Sequence, residues 1–168
     1  MIGLSFGHRT VREAEHWLHE VVRPLGLPGL VACTHLTQHP FPHVAISLST
    51  DGEPPAGLLA GVPVELVVAG EHAAAEHSTR RSGRAVLFPG VARLTGVLSV
   101  DELLAASAIE RVTALGGVPP AGDTLVETRD FVRPLWAEGR LTLVTTPVAG
   151  GRIGPFEVPE PTPCCADH

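Results

Sequence analysis

Glycine and proline set the limits on this chain: 18 Gly and 16 Pro are spread through 168 residues. Proline lacks an amide donor and fixes φ, and glycine admits the left-handed turns that end helices. Pro24 and Gly26, Pro40 and Pro42, Pro54 and Pro55, Pro89 and Gly90, and Gly116 and Gly117 therefore cut the chain into short regular elements. The nearly uncharged runs between breaks are too short for a bilayer span, so no membrane association is expected.

Between those breaks the periodicity changes from segment to segment. RTVREAEHWLHEVVR (9–23) carries Val11, Ala14, Leu18, Val21 and Val22 at helical spacing with Trp17 beside them, which predicts an amphipathic helix. LVACTHL (30–36) and HVAISLS (43–49) predict strands. VPVELVVAG (62–70) predicts a third, with Val64, Leu66 and Val68 on one face, and EHAAAEHSTRR (71–81) a short helix. RAVLFPGVARLTGVL (84–98) is expected to be extended, with a break at Pro89–Gly90.

The strongest local signal is SVDELLAASAIERVTALGG (99–117). Ser99 and Glu102 form a capping-box pair, Leu104, Ala108, Val112 and Leu115 a helical stripe, and Gly116–Gly117 a left-handed stop. TLVETR (124–129) predicts a strand. FVRPLW (131–136) and RLTLVTT (140–146) predict a hairpin around Ala137, Glu138 and Gly139, with Pro134 marking an edge strand. The sum is a single α+β domain over 1–148, with a mainly antiparallel sheet and two principal helices, followed by a Gly/Pro-rich tail over 149–168.

The net charge is −6 and all 12 basic residues are arginine, a bias that fits G+C-rich coding. Only Arg80-Arg81-Ser82-Gly83-Arg84 clusters positive charge, so no nucleic-acid partner is expected. The N-terminus lacks the apolar stretch and small-residue cleavage site of a secretory signal, which predicts a cytoplasmic protein. Cys33, Cys164 and Cys165 make no disulfide framework and are expected as free thiols.

Nine histidines are many for a chain of this size, and five of them fall in two short clusters, but no motif spells out a reaction. No GxSxG elbow and no phosphate-binding glycine loop occurs, and Cys33 lies in an apolar stretch that favours an inert buried thiol. His35, His39 and His43 recur at intervals of four, but Pro40 and Pro42 forbid the helix that would align them. His72 and His77 are five apart, a poor chelating interval, and are expected on a solvated face. The tail brings Cys164, Cys165 and His168 together, soft ligands suited to zinc or copper, for which His39 or His43 would supply the fourth group.

One stretch resembles a family. HPFPHVAISLSTDGEPPAGLLAGVPVELVVAG (39–70) looks like the core segment of suppressor-of-fused-like domains, with Pro42–His43 as the lead-in, Leu48–Ser49 ending a strand, and Glu65–Leu66 in the next. The resemblance covers about a fifth of the chain. It implies an α+β protein-binding domain without catalysis or cofactor, of a kind linked in bacteria with toxin immunity. The expectation is therefore a non-enzymatic module acting through a protein partner, in a regulatory or immunity role. The alternative is a small metalloprotein or metal-dependent enzyme that uses the tail cysteines and central histidines.

Overall fold

HVAISLS is buried along nearly its whole length, because helices cover both faces of the strand it forms. The computed structural model describes residues 1–159. This strand, β3 (His43–Ser49), lies between β1 (Ile2–His8) and β2 (Val31–Thr37), antiparallel to both. Its even residues Val44, Ile46 and Leu48 join Leu4, Ala32 and Val86 in one core with Ala14, Leu18 and Val22 of the first helical segment. On the other face, Ala45 packs against Ala69 and Ala73 of a second helix.

The first helical segment begins as α1 (Val11–Trp17) and continues through a π-helical turn, Leu18–Val22, and a 3-10 turn, Arg23–Leu25. The Thr10 side chain accepts from the Glu13 amide at 3.2 Å, while the Glu13 carboxylate accepts from the Arg9 amide at 2.8 Å. Gly26, at φ 58°, ends the segment with Pro24 just inside it.

Where the sequence predicts a strand over 62–70, the chain is helical. Val64–Leu66 form a 3-10 turn that runs directly into α2 (Val67–Ser78). Leu66, Ala69, Gly70, Ala73 and His77 are its buried residues, a helical spacing that a window ending at Gly70 cuts in two. Glycine is required at that point. A Cβ on Gly70 would lie 2.8 Å from the Gly3 carbonyl oxygen, and a Cβ on Gly3 would overlap the Gly70 carbonyl, so α2 and β1 touch backbone to backbone.

The ten strands follow the order β1-β3-β2-β4-β8-β9-β10-β7-β5, with β6 on β9. Here β4 is Arg84–Leu87, β5 Val97–Ser99, β6 Arg111–Ala114, β7 Leu125–Glu127, β8 Leu135–Ala137, β9 Arg140–Val148 and β10 Arg152–Pro155. Only the β6–β9 and β7–β10 ladders are parallel among the described residues. The architecture is α+β in one domain with a mostly antiparallel mixed sheet. The second half closes on its own core of Phe88, Leu103, Val126, Trp136, Leu141 and Leu143. No helix among the described residues is long and apolar enough to cross a membrane.

The capping box forms, but its helix is short. Ser99 accepts from the Glu102 amide at 3.2 Å and Glu102 from the Ser99 amide at 2.7 Å, yet α3 spans only Val100–Ala106. Ser107 diverts the ladder: its hydroxyl donates to the Leu103 carbonyl at 2.9 Å and accepts from the Ile109 amide at 3.3 Å. The chain then leaves as an extended segment, and Val112 is buried on β6 rather than on a helix. The stripe expected from Leu104 to Leu115 does not exist. The helix buries Val100 and Leu103 instead, while Leu115 is exposed.

The hairpin forms with a tighter loop than expected. Ala137 pairs with Arg140, leaving Glu138 and Gly139 at φ 52° and 77°, the left-handed pair of a type I′ turn. Strand β8 is no edge, because β4 covers its other side, and Pro134 stands just before it with its carbonyl accepting from the Ala85 amide at 2.7 Å. Gly139→Val should lower stability by about 1–2 kcal/mol through backbone strain alone, since none of the described residues lies within 4 Å of its Cβ position. A denaturation midpoint equal to the parent's would show a different turn.

Past residue 148, where the sequence predicts a tail, Arg152–Pro155 enter the sheet between β9 and β7 and bury Ile153. Glu157 then ion-pairs with Arg84, which also meets Glu15 at 2.5 Å, while Arg133 holds Glu15 at 2.7 Å.

Candidate functional site

Two strands and α2 bring together polar residues far apart in sequence. Cys33 pairs with Ser47 and His35 with Ala45 across the β2–β3 ladder, so Cys33, His35 and Ser47 share the face covered by α2. His77 comes down from the last turn of α2. Ser47 Oγ lies 2.8 Å from His35 Nε2 and 2.8 Å from His77 Nδ1, and His77 Nε2 lies 3.5 Å from Ser49 Oγ. With both rings neutral, the Ser47 hydroxyl donates to one imidazole and accepts an N–H from the other. The chain of bonds is satisfied without a charge.

Burial lowers the His35 pKa to about 4, with the neighbouring His77 adding to the effect. His77 is likewise held at about 4, first by burial and then by the N-terminal ammonium and Arg80. Burial also pushes the Cys33 thiol up to about 12. The cluster is a neutral polar core, closed by Trp136, whose ring centroid sits 5.8 Å from that of His77. Gly83 lets the chain pass over it: at φ 123°, a Cβ there would lie 2.8 Å from His35 Cε1.

Above this core the surface carries exposed apolar side chains among polar ones. Val64, Val68 and His72 follow one another at helical intervals along the outer face of the 3-10 turn and α2. Val64 is 84% exposed and Val68 72%. A cleft of about 420 Å³ opens between this stripe and the β2–β3 connection, lined by Thr37, His39, Pro40, Glu65, Val68 and His72. At His72 it meets a second cleft of about 510 Å³, whose wall includes Leu36 and Glu76 and reaches His35 and Trp136. Leu36, on the strand β2, is 78% exposed.

The histidines expected as ligands part company. His39 is exposed in the first cleft. His43 is buried against Phe41, donating Nδ1–H to the Phe41 carbonyl at 2.6 Å. Cys164, Cys165 and His168 lie outside the described residues. Among the described residues, no three His, Cys, Asp or Glu side chains stand together in a way that would hold a metal ion.

The sequence places His77 on a solvated face, and the structure corrects this: only 3% of it is exposed. Ser47, Val64 and Val68 are absent from the sequence-level candidates, although the spacing Leu66, Ala69, Ala73, His77 carries the signal for all but Ser47. No protein-family model, no curated protein and no solved structure matches the chain.

Proposed function

We propose that this protein is a non-catalytic binding module whose contact surface is the outer face of α2 together with the β2–β3 connection. The observation that carries this reading is the pair Val64 and Val68, two aliphatic side chains one helical turn apart and largely exposed, with Val68, Pro40 and Ala69 lining the cleft beside them. Exposed apolar groups that cluster and are rimmed by polar residues mark interaction sites. Glu65, His39 and His72 supply that rim. The resemblance to suppressor-of-fused-like domains adds support, because the segment 39–70 that carries it contains His39, Pro40, Glu65, Val68 and Ala69 of the cleft. A role in regulation or immunity rests on that resemblance. In one respect the segment departs from the expected pattern, since Glu65 and Leu66 are helical here.

The buried His35–Ser47–His77 chain serves this surface by anchoring α2 to the sheet beneath it. The double variant Val64→Asp, Val68→Asp should stay within about 0.5 kcal/mol of the parent in stability, as exposed substitutions do. It should also lose a protein that the parent captures stoichiometrically from its own cell extract. Retention of that protein at parental yield by a folded double variant would remove the surface from the account.

A further inference from the structure

The opposite face of the sheet holds a cavity of about 480 Å³, between the end of the first helical segment and the segment running from β4 to Thr95. That volume suits a small molecule. Leu27, Leu87, Phe88 and Leu94 give it apolar walls. His19, Arg23, Asp130 and Arg133 bring polar groups into its lining.

The walls are irregular where the polar groups enter. The π-helical turn Leu18–Val22 carries His19, and a π turn is a backbone form that recurs at functional sites. Arg129 and Asp130 are consecutive non-glycine residues in the left-handed region, at φ 55° and 51°. Asp130 is fixed there, its Oδ1 accepting from the Gly96 amide at 2.9 Å.

The charges differ in how far they are already satisfied. Arg133, with its side chain 9% exposed, spends its guanidinium on Glu15 at 2.7 Å and the Val132 carbonyl at 3.2 Å. Arg23 makes no ion pair among the described residues and stands exposed at the mouth. The His19 pKa is lowered by burial first and then by Arg133, with Glu15, Arg23 and Glu20 acting more weakly.

We propose that this cavity binds a small organic anion, its carboxylate held at the mouth by Arg23 and His19 and its apolar body lying against Leu27, Leu87 and Phe88. A carboxylate there receives charge-assisted hydrogen bonds from a guanidinium that lacks an ion-pair partner among the described residues. The apolar walls are covered from water by the same event.

Calorimetric titration with octanoate, and separately with octanol, tests this on the full chain. Octanoate should bind at one site per chain, and octanol about tenfold more weakly or worse. Arg23→Gln, a substitution at an exposed position, should weaken octanoate about tenfold while leaving the melting temperature of the free protein unchanged. Val68→Asp should leave octanoate binding untouched, which separates this cavity from the α2 surface. No saturable octanoate binding below about 10 mM would overturn the proposal. Equal affinity for octanol, or an Arg23→Gln protein that binds like the parent, would do so as well.

Discussion

Gly3→Ala should prevent the native state from forming, or cost more than about 4 kcal/mol where it still forms. The physical reason lies in the contact of α2 with β1. The new methyl group would occupy the place of the Gly70 carbonyl, and both groups at that contact are backbone, so no rotamer change relieves it. Gly70→Ala should be nearly as damaging, because its Cβ would lie 2.8 Å from the Gly3 carbonyl oxygen. Gly52→Ala is the control: it has no positive φ and no neighbour within 4 Å among the described residues, and should be neutral or stabilising by up to about 1 kcal/mol. Denaturant titration of the three variants gives the comparison. A Gly3→Ala protein with the parental midpoint would mean that α2 does not seat on β1 as described.

The second large effect is loss of stability in mild acid. The imidazoles of His35 and His77 are held at about 4 against an ordinary value of 6.5. In the unfolded chain both take up a proton as pH falls through the ordinary value, while in the native state they resist until about pH 4. The unfolded state therefore binds more protons in that window, and stability declines from about pH 6.5 to about pH 4 and then levels off for these groups. Each shift corresponds to roughly 3 kcal/mol, with the two rings coupled through Ser47.

Glu15 behaves differently. Burial works against its carboxylate, but Arg133 and Arg84 outweigh that and hold its pKa below the usual range, so its contribution disappears only at lower pH. Replacing both histidines, as His35→Gln with His77→Asn, should reduce the slope of the stability profile between pH 6.5 and 4, leaving in place the part due to His8 and His19, whose pKa values burial also lowers, and the lower-pH decline. A double variant with the parental slope in that window would assign the acid sensitivity to other groups.

Local physics made part of this fold legible. HVAISLS was readable as a strand because its apolar density survives coverage on both faces, and Ser99 with Glu102 announced a helix start that the structure repeats bond for bond. Gly139 was readable as a left-handed position, though the two-residue turn was not, since Glu138 at φ 52° carries no sequence mark of that conformation. The long helix over 99–117 failed because Ala108 and Val112 fit helical and strand patterns equally, and the Ser107 hydroxyl decided between them. The stretch 62–70 failed because Gly70 reads as a terminator, whereas its lack of a side chain serves the approach of β1, more than sixty residues earlier.

The site was less legible for the same reason. His77 meets Ser47 and Trp136 only through pairing of β2 with β3 and the insertion of β8, contacts that no local window contains. Once α2 is placed, the exposure of Val64 and Val68 follows from its helical period.

The measurement that bears most directly on the binding account is site-specific photo-crosslinking in the protein's own cell, with the photoreactive residue at position 68 and, as a control, at position 118. Val118 is 65% exposed and Val68 72%, so collision alone would label both positions alike. The account predicts one discrete crosslinked protein from position 68, lost in the Val64→Asp background, and none from position 118. Equal labelling from both positions, or a discrete product from 118 alone, would contradict it.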